Sequence, residues 1–419
     1  MTEEKIYTAE NKAFEKFFLN GFAKVSVFAG LVIMLIFFIR IGYHYSFSDG
    51  NNPPQMDATG QIGDFIGGVV GTIFSLVGVL LLFITLRDQR ETFKKERFET
   101  LFFDLLKIHR ENVDELKKSP TIGESTTDYE GRKVIQLIVS NILECREEVK
   151  IFFRKKTENN IYEHEYASKL RKTFSSSNPN VDLKKLAQIN IPYCIVFFGI
   201  NAEGRRIVEK MFEGKYKPKF YKPLLDFISL KPTEQSIYYS KWQIIREISD
   251  YKKRINVALG TLKRRGTTYN ENDYDVSTRV LIENAWYKNN FIKYYGGNQF
   301  RLGHYFRHLY QTVTYVENGS ELDEKTKYFY IKTLRAQLST HEQILLFFNS
   351  LSFLGMVWEL TPKYDKTDDI KLNLERAKSK MLITKYQLIK NIPGEDIFGL
   401  KINEFYPFVK LESNESYLS

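Results

Sequence analysis

At 419 residues, 43% of them hydrophobic and 27% charged, the chain is too long for a membrane hairpin alone and has room for a sizeable aqueous domain. Aromatic residues make up 15%, with 33 Phe and 26 Tyr against 11 Pro, which excludes a low-complexity chain and favours a packed, mainly helical body. The net charge is +10, and the 2 cysteines, Cys145 and Cys194, sit in apolar runs with no Cys or His at metal spacing, so they read as buried thiols in a reducing compartment.

Residues 1–21 mix Lys5, Lys12 and Lys16 with Glu10 and Glu15 around FEKFFLNGF, which predicts a cytoplasmic segment ending in an interfacial helix. A first transmembrane helix is expected over 22–43, where the apolar run Val25 to Ile39 is flanked by Lys24 and Arg40, whose stems can snorkel. A cleaved signal peptide fits that length too, but no small-x-small cleavage site follows and a second apolar segment comes soon after. Residues 44–61 hold Asp49, Asn51, Asn52, Pro53, Pro54 and Asp57 and read as a short external loop. A second transmembrane helix is expected over 62–86, because Phe65 to Leu86 is about 22 residues without charge, about 33 Å of helix against a hydrocarbon core of roughly 30 Å. Gly63, Gly67 and Gly71 recur every fourth residue and predict a face without side chains, suited to close helix packing. After Leu86 the residues Arg87, Asp88, Arg90, Glu91, Lys94 and Lys95 follow with no Pro or Gly, so the same rod should continue as an amphipathic connecting helix over 87–118. By the positive-inside bias both termini, and the bulk of the chain, are placed in the cytoplasm.

On that connecting helix Phe98, Leu101, Phe102, Leu105, Leu106 and Val113 form a seam facing a partner. His109 lies on the seam, either as a proton-sensing or ligand group or as a core histidine satisfied by a neighbour. Residues 119–419 are expected to form one cytoplasmic helical domain, with a loop from Ser119 to Gly131, a helix from Lys133 to Phe153, and a polar surface excursion from Lys155 to Lys185. The run IPYCIVFFGI, interrupted by Pro192, is too short to cross a bilayer and reads as buried core. Residues 205–265 are basic, with Arg205, Arg206, Lys210, Lys215, Lys217, Lys219 and Lys222 in one cluster and Lys252, Lys253, Arg254, Lys263, Arg264 and Arg265 in another. Anionic lipid, nucleic acid and plain solvation compete for that surface, and tethering to the inner leaflet favours lipid over nucleic acid. TTYNENDYD reads as a loop, followed by a helix from Val276 to Tyr295 that Gly296 and Gly297 end.

A helix pair is expected over 300–352. In the first helix Leu302, Phe306, Leu309, Val313 and Val316 make the apolar seam, with His304, Arg307 and Gln311 beside it. The second, from Lys325 to Leu351, carries Arg335, Ser339, Glu342 and Asn349 beside its own seam. The two together predict a partly buried polar cluster of His304, Arg307, Arg335, Glu342 and Asn349, with Glu342 reaching across to Arg307 or His304, as a ligand pocket or as a register-fixing network.

The ordered set GQIGDFIGGVVG, FETLFFDLLKIHRENV, GHYFRHLYQTV and LRAQLSTHEQILLFFNSLS resembles the phage abortive infection protein family, the AbiC-like membrane proteins of bacteria. The resemblance implies a multi-pass bacterial inner-membrane protein that blocks phage propagation at the infected cell's expense; it brings no catalytic residues with it. The fold class is therefore expected to be mainly α, a two-helix transmembrane hairpin continuing into a cytoplasmic all-α helical domain. No Walker loop, Gly-x-Ser-x-Gly elbow or HExxH helix is present, and no cofactor or metal is expected. Arg335 and His341 have the Arg-x5-His spacing that resembles helical ribonucleases of the HEPN class, but on one straight helix they would lie about 120° apart. The expected function is a sensor and effector tethered to the lipid bilayer that oligomerises with its own kind and answers an unknown phage-derived trigger. The alternatives are a membrane-anchored HEPN-like ribonuclease effector and a scaffold recruiting another defence protein.

Overall fold

The computed structural model describes residues 21–22, 24–40, 56–118, 129–174, 178–229, 294–361 and most of 363–412, with single positions between 231 and 248. The expected interfacial segment 1–21, residues 44–55 of the external loop, the second basic cluster and the helix from Val276 lie outside the described residues or almost so, while 56–61, expected in that loop, are helical. Two compact units divide between Leu101 and Phe102.

In the first unit, α1 covers residues 24–40 and α2 covers Met56–Phe65. A π-helical turn, Ile66–Val70, follows, and then α3, Gly71–Asp114, which continues into the second unit. Its 44 residues correspond to about 66 Å of helix. Among the described residues one helix, Gly63–Asp114, is long and apolar enough to cross a membrane. Gly63, Gly67 and Gly71 meet no side chain of another helix of this chain among the described residues. A Cβ built on Gly63 or Gly67 meets nothing within 4 Å, and one on Gly71 meets only the carbonyl of Ile66. A wider π turn, closed by the Gly71 N–H on Ile66 O, lies among the three glycines. Gly30 on α1 is the glycine with a neighbour, since its Cβ would lie 3.3 Å from Ile73 Cγ2, and the ring of Phe37 stacks on Phe65 at 3.9 Å.

The second unit is built on α4, Arg132–Val149, and α7, Leu183–Phe198. Val134, Ile135, Ile138, Ile142 and Cys145 recur at helical spacing and are buried, so α4 presents one apolar stripe. Nearly every residue of α7 is buried from Leu183 to Phe197, which agrees with its apolar character on all sides, and Pro192 sits inside it. The one polar side chain at its centre, Asn190, is satisfied: it donates to Tyr216 Oη at 2.7 Å and accepts the Phe353 N–H at 3.0 Å. Both cysteines are free and buried, and burial pushes the Cys194 thiol up to about 12. A two-residue hairpin pairs Lys117 with Glu130 and Lys118 with Tyr129 between α3 and α4.

The expected surface excursion 155–185 is instead partly helical. Here α5, Glu158–Ile161, starts from a Thr157 to Asn160 capping box, and α6, His164–Phe174, buries Leu170 and Phe174. Next come α8, Ala202–Phe212, and α9, Pro218–Ile228. Lys231, wholly buried, donates to Glu144 at 2.7 Å, lies 2.9 Å from Glu148 and packs over the ring of Tyr294 at 3.5 Å. The Tyr294 N–H bonds the Lys231 carbonyl at 3.0 Å, so both ends of the stretch between them are pinned to α4.

The family of helices that follows is α10, Gln299–Glu317; α11, Glu324–Gln337; and α12, Thr340–Ser350. The single helix expected from Lys325 to Leu351 is thus two. Leu338 leaves the helical region at ψ 123°, and Ser339 opens α12 with a capping box to Glu342. Three short helices close the unit, α13 at Ile370–Ser379, α14 at Leu382–Tyr386 and α15 at Ile402–Phe405.

Candidate functional site

The break between α11 and α12 decides where Glu342 points. As the third residue of α12 it turns back on the cap, and its Oε2 accepts the Ser339 N–H at 2.8 Å and the Ser339 hydroxyl at 2.7 Å. Arg132, at the first position of α4, brings Nε to 3.3 Å from the same oxygen while its Nη2 donates to Gln337 O, the last carbonyl of α11, at 2.8 Å. Tyr305 of α10 donates its hydroxyl to Glu342 Oε1 at 3.3 Å, and His109 of α3 lies with Nε2 3.6 Å from it. Glu342 is 1% exposed and His109 2%.

Burial works to raise the Glu342 carboxyl, but His109 and the Ser339 amide and hydroxyl outweigh it and hold it below the usual carboxylate range. Burial, with the Glu342 carboxylate beside it, lifts the Tyr305 phenol well above its ordinary value. Burial and the neighbouring His109 lower His308, whose Nδ1, like both ring nitrogens of His109, is buried without a hydrogen-bond partner among the described residues. One carboxylate therefore gathers α3, α4, α10 and α12 at a point closed to solvent.

A cleft of about 760 Å³ opens on the other side of α10. Its walls include Phe198 at the end of α7, Asn201 and Glu203 at the start of α8, Gly296 and Gly297, and then Phe300, His304 and Arg307 of α10 with Asn349 of α12. Three glycine backbones fit against one another here. A Cβ on Gly204 would lie 2.3 Å from Phe198 O, one on Gly199 2.7 Å from Gly296 C, and one on Gly297 2.7 Å from Phe198 O. Gly199 and Gly297 also take φ of +83° and +93°.

The five residues expected to form one cluster are thus divided. His304, Arg307 and Asn349 share the cleft, with Asn349 also donating to Tyr193 Oη at 2.8 Å. Glu342 belongs to the closed node and meets neither Arg307 nor His304 there; its partners are His109, Arg132, Tyr305 and Ser339. Arg335 is separate from both and donates to the carbonyls of Tyr386 and Gln387 at 3.2 and 3.0 Å, closing the end of α14. His341 lies on α12 and Arg335 on α11, so the one-helix geometry used for the pair does not apply, and the guanidinium is committed to backbone. Among the described residues no group of three or more His, Cys, Asp or Glu side chains could hold a metal ion.

Residues 297–373 match the family model described as Putative phage abortive infection protein. The match takes in Tyr305, His308, Ser339 and Glu342 of the node and His304, Arg307 and Asn349 of the cleft. His109, Arg132 and the glycine-rich segment GQIGDFIGGVVG lie outside it. No curated protein and no solved structure matches the chain.

The node missed by sequence reading involves Arg132 and Tyr305. Arg132 is 210 positions from Glu342 by residue number, beyond any local signal, but the Ser339-x-x-Glu342 spacing was present as a capping-box signature.

Proposed function

We propose that this chain is an anti-phage defence protein acting by abortive infection, anchored in the bacterial inner membrane and responding to a phage-derived trigger without catalysis of its own. The observation that carries the reading is the family match over 297–373, which coincides with the segment supplying Tyr305, Ser339 and Glu342 to the closed node.

Membrane anchoring is supported by the apolar side chains along α3. Leu76, Val79, Leu81, Leu82, Phe83 and Leu86 are exposed around the helix, which is costly in water and favourable in hydrocarbon. Val25, Phe28, Leu31 and Leu35 of α1 are exposed in the same way and suit the other arm of a hairpin, with both termini in the cytoplasm. Gly63 and Gly67 have open space where side chains would be, which leaves room for the helix of a second copy. In this reading infection changes the packing at His109 and Glu342, and α3 carries the change toward the glycines, where copies assemble and disturb the membrane.

The test is phage plating on cells that express the chain. The wild type is expected to reduce plaque numbers and to halt growth of infected cells. Gly67→Ile should abolish protection while remaining in the membrane fraction after alkaline carbonate washing. Full protection by Gly67→Ile removes the assembly step, and wild-type protein washed off by carbonate removes the anchor.

A further inference from the structure

We propose that the cleft between α7, α8 and α10 binds a nucleoside phosphate. Its volume of about 760 Å³ lies within the range of small-molecule sites, roughly 300–1,000 Å³, and is far larger than a bare phosphate needs. The glycine contacts described above leave main chain rather than side chains at its base, since Gly204, Gly296 and Gly297 all line it.

Three features along α10 give the chemistry. Its N-terminus receives no side-chain cap among the described residues, because Asn298 turns its amide away to donate to Val196 O at 2.9 Å; the Arg301 and Leu302 N–H groups bond the Asn298 carbonyl, and those of Gln299 and Phe300 remain available to an anion. The neighbouring α8, by contrast, is capped by Asn201 on the Gly204 N–H at 2.7 Å. Arg307 spends Nε on Gly303 O at 3.0 Å, and its two terminal nitrogens have no hydrogen-bond partner among the described residues, leaving a planar fork of the kind that grips phosphate oxygens. His304, one turn earlier on the same lining, adds a ring nitrogen.

Aromatic surface lies beside these groups. Phe300 lines the cleft with 68% of its surface exposed, the Arg301 guanidinium lying 4.1 Å over its ring, and Phe198 lines it as well, so aromatic surface and a guanidinium plane stand where a planar base could stack. Glu203 on the lining disfavours a bare polyanion and accepts hydrogen bonds from a ligand that carries N–H donors, as nucleobases do. Gly303 is the natural place to close the space, because a Cβ there meets only Arg307 Nη2, at 3.8 Å, and it lies inside a helix where leucine or alanine has the better propensity.

Binding at the cleft is measured without phage, so its failure and that of the defence role are distinguishable. The full chain in detergent micelles is titrated with trinitrophenyl-ATP and competed with ATP, adenosine and inorganic phosphate. Saturable binding is expected, displaced by ATP at concentrations at least about tenfold below those needed with adenosine or phosphate. Arg307→Gln, on an exposed face, should weaken ATP binding about tenfold or more, the loss of a charge-assisted contact. Gly303→Leu should remove binding at an unchanged or raised melting temperature. No saturable binding to the wild type, equal competition by phosphate and ATP, or unchanged affinity in both variants would overturn the assignment.

Discussion

His109 Nε2 stands 3.6 Å from Glu342 Oε1, and the two belong to helices more than two hundred positions apart in the chain, each almost wholly withdrawn from solvent. The carboxylate is held by an amide, a hydroxyl, a phenol and a guanidinium besides the imidazole, so its charge is stabilised at several points rather than one. Removing it affects the start of α12 and the junction of α3, α4 and α10 together.

Glu342→Gln is expected to lower stability by about 2 kcal/mol at neutral pH, combining a weakened cap with the lost charge-assisted contacts. The dependence on pH has a definite sign. The folded-state pKa lies below the ordinary value of 4.5, so the stabilisation is present above about pH 4.5 and disappears as pH falls through the folded value. Urea midpoints of wild type and variant should therefore differ near pH 7 and draw together as the pH is taken progressively below 4.5. A gap that persists in acid would show that the carboxylate's charge is not what stabilises the node.

Glu359 should behave in the opposite way. It is 2% exposed, accepts the Thr384 N–H at 3.0 Å and the Thr384 hydroxyl, and burial pushes its carboxyl up to about 7 against the pull of those donors. Since the folded form holds its proton more tightly than the unfolded chain, this group's contribution is lost as pH rises from about 4.5 to about 7. Glu359→Gln removes that loss and should be more stable than wild type above pH 7, by up to about 3 kcal/mol, with no advantage near pH 4. Thermal melts at the two pH values decide it.

Much of this organisation is legible in the residues themselves. The stripe of α4, the all-round apolar character of α7 and the position of His109 on a seam follow from periodicity, and the uncharged run after Phe65 identifies the long helix. The break at Leu338 does not, because apolar positions continue on both sides of it at helical spacing and conceal the capping box at Ser339. Nor does the partition of the polar residues. Whether Arg307 meets Glu342 or faces a cleft depends on which side of α10 the distant helices α3 and α4 occupy, and hydrophobic spacing within 300–352 has no information on that. The π turn at Ile66–Val70 is hidden for a similar reason, since a four-residue glycine repeat is written for a regular α-helix and carries no mark of the wider turn.

Two glycines near the cleft should respond in opposite directions to the same substitution. Gly204→Ala places a methyl group 2.3 Å from Phe198 O and 2.7 Å from Gly199 O, both backbone atoms, so the loop from α7 to α8 must move. A loss of about 1–3 kcal/mol is expected, as for other overpacked sites, despite the better helix propensity of alanine. Gly303→Ala has its nearest neighbour at 3.8 Å and should gain up to about 1 kcal/mol. Chemical denaturation of the two variants side by side tests the pairing, and a stable Gly204→Ala would mean that the glycine contacts are looser than described.

Lys231 offers the sharpest test of the ion cluster that fixes the start of α10. Its ammonium is 0% exposed and lies 2.7 Å from Glu144 and 2.9 Å from Glu148, with Tyr295 Oη donating to Glu148 at 2.8 Å. Lys231→Met fills the same volume but leaves Glu148, itself buried, without the cation that offsets its desolvation. Breaking a buried pair from one side costs about 3–5 kcal/mol, and the orphaned carboxyl should make the variant more stable as pH is lowered toward 5. Adding Glu148→Gln to Lys231→Met ought to recover a good part of the loss, because the remaining amide needs no counter-charge and still accepts from Tyr295. If the double variant is no better than Lys231→Met alone, the lysine acts through its packing on Tyr294 rather than through charge.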